Sequence, residues 1–414
     1  MTEAASTRPE PDATPPDAPL PGAPDPWAGS EMPARRDGPP WFMTQMIESE
    51  PGLAARLLGR LGAPDGQAER LARAVRTAAE AGHAVLVTGC GTSEHGALAA
   101  VEVLREGMRT AGLPWRLGEA GAPVAVQAFE GSLEDWLSGV GGLVIGVSHE
   151  GGTWATNRAL ERARTSGATV ALVTASDRSP GAALADIVVA TEELDQSWCH
   201  TVGYLSPILA ATAVAAHLVG APVEPGAARD LLAAALTPDA FRATERLAAV
   251  IADADRLIVA GTGVDRPAAR ELVLKVEEGA HLPAAMRDLE TVLHGHLAGM
   301  DARTGFVLIL TDLAHAEARA ARAEGVLRAV EELGIRAGAI LGDAYAGRIP
   351  AALTPAGRLV VPAAPALPAA AASILGSAVP LQLLTERLAR ARGVNPDPIR
   401  RDDPAYLRAA EAAD

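Results

Sequence analysis

Three side chains able to move a proton lie close together in the second half of the sequence. Lys275 and Glu278 are three residues apart, so on a helix they share one face. His294 follows in an H-G-H segment that is typical of a loop. A carboxylate beside a lysine, with a histidine within reach, favours general acid–base catalysis. The same spacing also fits a solvated ion pair and a turn histidine, and both interpretations stay open on spacing alone.

Two loops in the first half carry hydroxyl groups next to glycines, and together they predict an anion site. One reads C-G-T-S over 90–93 and the other reads S-H-E-G-G-T over 148–153. Turn N–H groups, hydroxyls and the start of a helix favour a bound phosphate. Ordinary turns and helix caps are the competing interpretation, which two such loops on adjacent strands disfavour. The candidate binding residues are Cys90, Gly91, Thr92, Ser93, Ser148, His149, Glu150, Gly151 and Thr153.

A third polar loop, S-W-C-H-T over 197–201, adds Trp198 and His200 as candidate ligand contacts. Adjacency of Cys199 and His200 in sequence does not make a catalytic dyad, so a buried turn is favoured over a nucleophile. The only other cysteine is Cys90, and a disulfide between two loop cysteines of an apparently cytosolic chain is not expected.

The elements that must position these loops occur twice. V-L-V-T-G-C-G-T-S begins at residue 85 and L-I-V-A-G-T-G-V-D begins at residue 257, so the G-x-G turns align. The register continues until Glu106-Gly107 falls on Glu278-Gly279, whereas Ser93 is replaced by Asp265. A β-branched run that ends in G-x-G and passes into a helix needs glycine for its tight turn. The sequence therefore predicts two similar domains that share one active site.

Short apolar strands alternate with helical segments along both halves. The expected strands are 85–89, 143–147, 170–174 and 187–190 in the first half and 257–260, 307–310, 337–341 and 359–361 in the second. Helices are expected from about 41, over 66–81, through 163, and across the join at 220–248. This alternation predicts an α/β fold of two doubly wound parallel sheets with helices on both faces, and ligands at the carboxyl ends of the strands.

Composition excludes several classes of partner. The chain has 414 residues and a net charge of −15, which argues against nucleic acid and anionic membrane surfaces. No signal peptide or membrane span is apparent, because prolines interrupt the apolar stretch 361–384, so we expect a cytoplasmic protein. The spacing of His281, His294 and His296 matches no rigid ligand pair, so we expect no metal and no cofactor.

The chain divides into four predicted segments. Residues 1–38 are rich in proline and acidic residues and read as a disordered leader. Residues 39–225 form the first domain with its N-terminal helices, 226–400 form the second, and 401–414 form a tail. Each domain is long enough to bury its own core, which must be built from Ala, Leu and Val because only 3% of residues are aromatic.

Over residues 41–400 the sequence resembles the sugar isomerase (SIS) family, and within it the two-SIS isomerase half of the glucosamine-6-phosphate synthases. The W-F-M-x-x-M-I-x-x-x-P run at 41–51 is similar to the segment that enters the isomerase half. C-G-T-S matches the first sugar-phosphate loop, and S-H-E-G-G-T occupies the position of S-Q-S-G-E-T. L-K-x-x-E with its later H-G, P-L-Q-L-L at 380–384 and G-x-N-x-D at 393–397 complete the series in order.

The resemblance implies two SIS domains and a role for each catalytic candidate. By resemblance, Glu278 carries a proton between C1 and C2 of a ketose or aldose 6-phosphate, His294 assists ring opening, and Lys275 orients Glu278. The family also implies a homodimer in which the histidine reaches the neighbouring subunit's site. The expected activity is that of a phosphosugar or aminosugar-phosphate isomerase or deaminase.

Three departures from the family pattern qualify that expectation. The sequence begins Met1-Thr2 where the synthases have a glutaminase, so we expect no ammonia release from glutamine by this chain. Glu150 replaces a serine in the phosphate loop, and Pro404 stands where the family has its Schiff-base lysine. A non-catalytic sugar-phosphate sensor and an isomerase subunit that receives ammonia from a separate glutaminase are the alternatives. Neither the sugar nor the direction of any ammonia transfer follows from the sequence.

Overall fold

Two sheets of five parallel strands form the framework of the protein, seen in a computed structural model that describes residues 35–133 and 141–413. The first sheet has the order β2-β1-β3-β4-β5 and the second the order β10-β9-β8-β6-β7. Read from its other edge, the second sheet runs β7-β6-β8-β9-β10, so its strands follow the same order as β2-β1-β3-β4-β5 of the first sheet. The strands are β1 Val85–Gly89, β2 Pro123–Gln127, β3 Leu143–Val147, β4 Thr169–Thr174, β5 Ile187–Ala190, β6 Arg256–Ala260, β7 Ala284–Arg287, β8 Thr304–Leu310, β9 Ala337–Gly342 and β10 Gly357–Val361.

Helices follow nearly every strand and cover the sheets. They are α1 Phe42–Leu61, α2 Gln67–Glu80, α3 Thr92–Thr110, α4 Ala128–Leu133, α5 Trp154–Thr165, α6 Val202–Val219, α7 Pro225–Ala233, α8 Pro238–Ile251, α9 Arg266–Ala280, α10 Leu289–Val292, α11 Ala316–Glu332, α12 Asp343–Ala346, α13 Ala369–Ala391 and α14 Pro404–Glu411. The α/β fold class predicted from the sequence is confirmed, as are all eight predicted strands.

Both sheets contribute one face to a shared central core. Val87 of β1 and Val259 of β6 belong to the same buried cluster, together with the apolar faces of α3, α6, α9 and α13. The opposite faces are covered separately, so that Leu86 lies in one smaller cluster and Ile258 in another. Alternate residues of a strand point to opposite faces, which is why neighbouring residues enter different clusters. The shared core holds the two halves together.

The sequence did not reveal β2 and β7, which are edge strands. Each pairs with one neighbour only, β2 with β1 and β7 with β6. Their residues are mostly half-buried, and β7 reads A-A-M-R, without a β-branched residue. An edge strand needs neither a continuous apolar run nor clean alternation, so the pattern that reveals a central strand is absent.

Parts of the predicted domain division lie outside what the structure describes. Residues 1–34 of the proposed leader fall outside the described residues. The predicted boundary between 225 and 226 falls just after the first residue of α7. The predicted tail, described to residue 413, contains α14. These boundaries stay predictions.

Two helices, α6 and α13, have the length and apolar composition of a membrane span. Within the protein, however, 83% of the α6 window and 89% of the α13 window are buried. Such burial is typical of core helices.

Close approach of α3 to α6 explains the glycine in the first Glu-Gly pair of the repeat, since a Cβ on Gly107 would lie 2.7 Å from the Cβ of Ala215.

Glu50 on α1 should make folding stability fall as the pH rises. Its side chain is completely buried, and burial raises the pKa of its carboxyl well above the ordinary 4.5. The native protein then holds a proton that the unfolded chain releases, so stability is highest below about pH 4.5 and declines towards the raised native pKa. We expect Glu50→Gln to make the decline shallower in urea unfolding measured between about pH 5 and 8, while Glu80→Gln at an exposed position keeps the wild-type slope. Equal pH slopes in wild type and Glu50→Gln would contradict the prediction.

Candidate functional site

The two hydroxyl-bearing loops meet where the first sheet changes direction. From β1 the chain crosses to β2 on one side, whereas β3, β4 and β5 lie on the other. β1 and β3 pair directly, with Thr88 opposite Gly146. The loops that follow them therefore begin side by side at the carboxyl end of the sheet, where doubly wound folds bind their ligands.

Three hydroxyls form what we call the cradle: Ser93, Ser148 and Thr153. The Ser93 oxygen accepts a hydrogen bond from the backbone N–H of His149, with 3.4 Å between nitrogen and oxygen. The Ser148 hydroxyl donates to Thr153 Oγ1 at 3.4 Å. Gly151 turns the loop with a φ of +69°, and a Cβ there would lie 2.2 Å from a neighbouring hydroxyl. The structure thus brings the two predicted loops into one polar surface.

The turn after β1 positions the other predicted residues of its loop. Gly91 has a φ of +57°, and Thr92 is the buried first residue of α3. Cys90 is half-buried, with its sulfur 4.0 Å from the hydroxyl of Thr156. Burial raises the pKa of the Cys90 thiol, so it stays protonated at neutral pH. The Cys90 sulfur thus accepts the Thr156 hydroxyl beside the cradle, and its raised pKa disfavours the thiolate that a nucleophile needs.

His149 and His200 lie beside the cradle. His149 Nε2 lies 2.9 Å from the backbone nitrogen of Asp195 and 3.4 Å from its carboxylate. Burial lowers the pKa of His200 to about 3, and the two rings lie 5.1 Å apart. Asp195 itself was not found from the sequence. Its carboxylate accepts three backbone N–H groups at the start of α6, from Thr201, Val202 and Gly203, and no sequence motif announces this cap.

Glu150 and Trp198 border the cradle on its open side. Glu150 Oε1 lies 3.8 Å from His200 Nε2. The guanidinium carbon of Arg401 lies 3.7 Å from the centroid of the Trp198 ring, a cation–π contact with the tail of the chain. The sequence did not predict the contact of Arg401, because the family pattern has a lysine in the tail and the aligned residue here is Pro404.

The acid–base candidates form a buried ionic chain on α9. Lys275 Nζ lies 2.5 Å from Glu278 Oε2 and 3.7 Å from Glu271 Oε1, while His95 Nδ1 lies 2.7 Å from Glu271 Oε2. Lys275 and Glu271 are fully buried, whereas the Glu278 side chain is 23% exposed. His95 belongs to α3, so the chain connects the two halves. Glu271 was missed, although its position four residues before Lys275 was a usable signal.

The two carboxylates decide the charge state of this chain. Burial alone would lower the pKa of Lys275, but Glu278 and Glu271 outweigh it and raise the pKa above the ordinary value, so the lysine is charged. Burial raises the pKa of Glu278 in spite of Lys275, which acts in the opposite direction. A partly exposed carboxyl with a raised pKa can both accept and return a proton.

Lys275 and Glu278 face the third loop of the first half. The Cys199 thiol lies 3.9 Å from the backbone oxygen of Lys275. A Cβ on Gly279 would lie 3.2 Å from the same sulfur, so glycine allows this close approach without displacing its neighbours. The structure therefore brings the predicted lysine and glutamate to the loop that carries Trp198 and His200.

His294 lies apart from this group within one chain. It follows α10, its side chain is 70% exposed, and its Nε2 lies 2.8 Å from Glu290 Oε1. This hydrogen bond is within its own turn and not with Lys275 or Glu278. Among the described residues, His294 therefore makes no hydrogen bond or ion pair with Lys275 or Glu278. A role for His294 in the site of a neighbouring subunit stays a prediction.

Solved structures with the same fold cover most of the chain. The C-terminal domain of glucosamine-fructose-6-phosphate aminotransferase from Francisella tularensis is 19% identical, with a TM-score of 0.71 over 88% of this chain and 99% of that one. Tagatose-6-phosphate ketose/aldose isomerase from Escherichia coli is 16% identical, with a TM-score of 0.67 over 86% and 95%. Glucosamine-6-phosphate deaminase from Thermotoga maritima is 16% identical, with a TM-score of 0.61 over 86% and 97%. No family model and no curated protein sequence matches the chain.

The fold is that of two tandem SIS domains. In the second SIS domain, the position equivalent to the cradle residue Ser93 holds the backbone together. Asp265, which aligns with Ser93, is buried and accepts the backbone N–H groups of Thr311 at 2.9 Å and Asp312 at 3.1 Å. A carboxylate thus takes donors that could have bound an anion at the carboxyl end of β8.

Glu106, the counterpart of Glu278, is likewise committed to structure. Its carboxylate accepts the backbone N–H groups of Ala369 at 2.9 Å and Ala370 at 2.6 Å, which caps the first turn of α13. The two SIS domains therefore carry the same Glu-Gly pair with different neighbours. Of the two glutamates, Glu278 is the one held by a buried lysine.

Proposed function

We propose that this protein catalyses proton transfer between C1 and C2 of a ketose or aldose 6-phosphate, as a phosphosugar or aminosugar-phosphate isomerase or deaminase. The observation that carries the proposal is the Glu278 carboxyl, partly exposed beside the first SIS domain and 2.5 Å from a fully buried Lys275. The names of structurally similar proteins support it, since they include a ketose/aldose isomerase and a deaminase of 6-phosphates.

In this proposal each residue has one task. The cradle of Ser93, Ser148 and Thr153 binds the phosphate through uncharged donors. Glu278 removes the C2 proton of the aldose and returns it to C1 through an enediol, while O1 gains a proton and O2 loses one. With a 2-amino sugar, the same shift gives an imine that water hydrolyses to ammonia and the ketose. Lys275 holds Glu278 in place, and a second subunit supplies His294 for ring opening.

A covalent imine with the enzyme is not part of the proposal. Pro404, at the position of the family's tail lysine, is the first residue of α14 and has no amino group to react. The enediol route needs only a positioned carboxyl and a polarised oxygen.

Exchange of substrate hydrogen with heavy water tests the proposal directly. We expect the wild-type protein to incorporate deuterium at C1 or C2 of a hexose 6-phosphate, with or without added ammonia. Binding of the sugar without any exchange would leave a sugar-phosphate sensor as the function. Net conversion only in the presence of ammonia would support an isomerase subunit that is fed by a separate glutaminase.

Removal of one cradle hydroxyl should weaken phosphosugar binding. Ser148→Ala deletes a hydrogen bond to a charged group, so we expect a loss of about 1–3 kcal/mol. The affinity for the same sugar without phosphate should change little, because its binding does not involve the charged group. Titration calorimetry with both ligands measures the difference, and equal losses for both would remove the cradle as the phosphate site.

Two subunits should complete each site. If His294 acts on the partner's Glu278, mixed dimers of Glu278→Gln and His294→Ala each hold one intact site, although both parent proteins are inactive. After subunits are exchanged at equal concentration, we expect about a quarter of wild-type activity to return. A folded monomer that remains active at nanomolar concentration, or no recovery in a proven mixed dimer, would rule out a shared site.

A further inference from the structure

The surroundings of the cradle include a carboxylate, which is unusual for a site that binds phosphate. Its three hydroxyls are uncharged, His149 accepts a backbone hydrogen bond at Nε2, and His200 is neutral because burial lowers its pKa to about 3. Glu150 adds a carboxylate to the 148–153 loop. A phosphate dianion placed beside a carboxylate in a partly desolvated loop is repelled unless a cation lies near both.

Lys275 is not available for this task. It is fully buried between two carboxylates, 2.5 Å from Glu278 and 3.7 Å from Glu271. Its positive charge is already compensated within α9, so a further anion gains little from it.

Arg401 is a cation of the tail that contacts the 197–201 loop, whose His200 lies 3.8 Å from Glu150. Its guanidinium stacks on Trp198 at 3.7 Å, and within the described ranges no carboxylate lies within the 4.0 Å of an ion pair with it. The backbone N–H of Trp198 donates to the backbone oxygen of Asp397 at 3.0 Å, which holds this part of the tail against the loop. Glu150 and Glu278 each raise the pKa of Arg401 against the lowering effect of burial, as expected if both carboxylates face it.

We propose that Arg401 is a specificity residue: its guanidinium, stacked on Trp198, compensates Glu150 and so allows the Ser93–Ser148–Thr153 cradle to accept a phosphate monoester. The inference rests on the proposed function, because it takes a sugar phosphate as the ligand. Arginine suits the role, since its planar fork can stack on an aromatic ring and bind phosphate oxygens at the same time. In this proposal the guanidinium offsets the charge of Glu150 through space, without an ion pair between the two side chains.

Binding of fructose 6-phosphate and of fructose, measured by titration calorimetry, tests the role of the guanidinium. Arg401→Gln should weaken fructose 6-phosphate binding by a factor of about 10 to 100, the scale of a hydrogen bond to a charged group, and leave fructose nearly unchanged. Arg408→Gln is the matched control, because it removes the same charge from another exposed arginine of the tail, on α14. Equal losses in the two variants would overturn the proposal, since the effect would then come from net charge alone.

If Arg401 compensates Glu150, the effect of replacing Arg401 must also depend on whether Glu150 is present. Glu150→Ser should strengthen fructose 6-phosphate binding, and in that background Arg401→Gln should cost a smaller factor than in the wild-type background, because only the contact of the guanidinium with the phosphate is then lost. If Arg401→Gln costs the same factor in the wild-type background and in the Glu150→Ser background, Arg401 does not compensate Glu150 and the proposal is wrong. A gain in fructose affinity equal to the gain in fructose 6-phosphate affinity would overturn it as well.

Failure of this inference is distinguishable from failure of the proposed function. Deuterium exchange on a hexose 6-phosphate by wild type and by Arg401→Gln at unchanged affinity would leave the isomerase proposal standing and remove Arg401. A wild-type protein that binds fructose but not fructose 6-phosphate would remove the phosphate assignment and this inference with it.

Discussion

Replacement of Glu278 by glutamine is expected to leave sugar-phosphate binding intact and to slow C1/C2 proton exchange by a factor of about 10²–10⁴. Glutamine keeps the size of the side chain and can still accept a hydrogen bond from Lys275, which lies 2.5 Å away. It has no ionisable group, so it can neither take the proton from carbon nor return it. The rate of deuterium incorporation and the dissociation constant, measured on the same preparation, separate the chemical step from binding.

The neighbouring Glu277 provides the control. It is exposed on the same helix turn, and its carboxylate accepts the N–H of Ala284 at 3.1 Å. Glu277→Gln removes the same charge but should retain wild-type exchange. If Glu278→Gln exchanges as fast as wild type, another group carries the proton. If it loses binding and exchange in proportion, Glu278 contributes to affinity and the assignment as proton carrier fails.

Replacement of Lys275 by methionine is expected to cost about 3–5 kcal/mol of folding free energy at neutral pH. Methionine fits the volume, but it leaves Glu271 and Glu278 without their shared cation, and Glu271 is fully buried. An uncompensated buried carboxylate has a raised pKa. The stability of the variant is therefore greatest below about pH 4.5 and falls as the pH rises through that raised pKa. Urea unfolding at several pH values measures both the loss and its slope.

A second substitution separates charge from packing. In the double variant Glu271→Gln with Lys275→Met, one of the two uncompensated charges is gone, so part of the lost stability should return. A loss below about 1 kcal/mol in Lys275→Met would show that the ion pairs are screened like those of an exposed surface. A full loss that Glu271→Gln does not relieve would indicate a packing defect.

Local patterns in the sequence were enough to predict the framework of both SIS domains. The eight predicted strands are apolar runs between turn residues, and each G-x-G marks the point where a strand turns into a helix. The three-residue spacing of Lys275 and Glu278 placed them on one helix face, and their contact is observed. Only β2 and β7 escaped notice, because edge strands with half-buried residues carry no strong periodic signal.

The chemical environment of the site, by contrast, depends on contacts between distant residues. His95 meets Glu271 across the two domains, and Arg401 reaches Trp198 from the tail. Parallel register and helix packing decide such meetings, and neither leaves a periodic trace in the sequence.

The duplicated Glu-Gly pair illustrates the division between the two kinds of information. The repeat alone predicts that Glu106 and Glu278 occupy equivalent positions on α3 and α9. Tertiary structure gives Glu106 two backbone N–H groups of α13 and gives Glu278 a buried lysine as its partner. The role of a carboxyl follows from its pKa and from the groups that hold it, and both are properties of its surroundings in the folded protein.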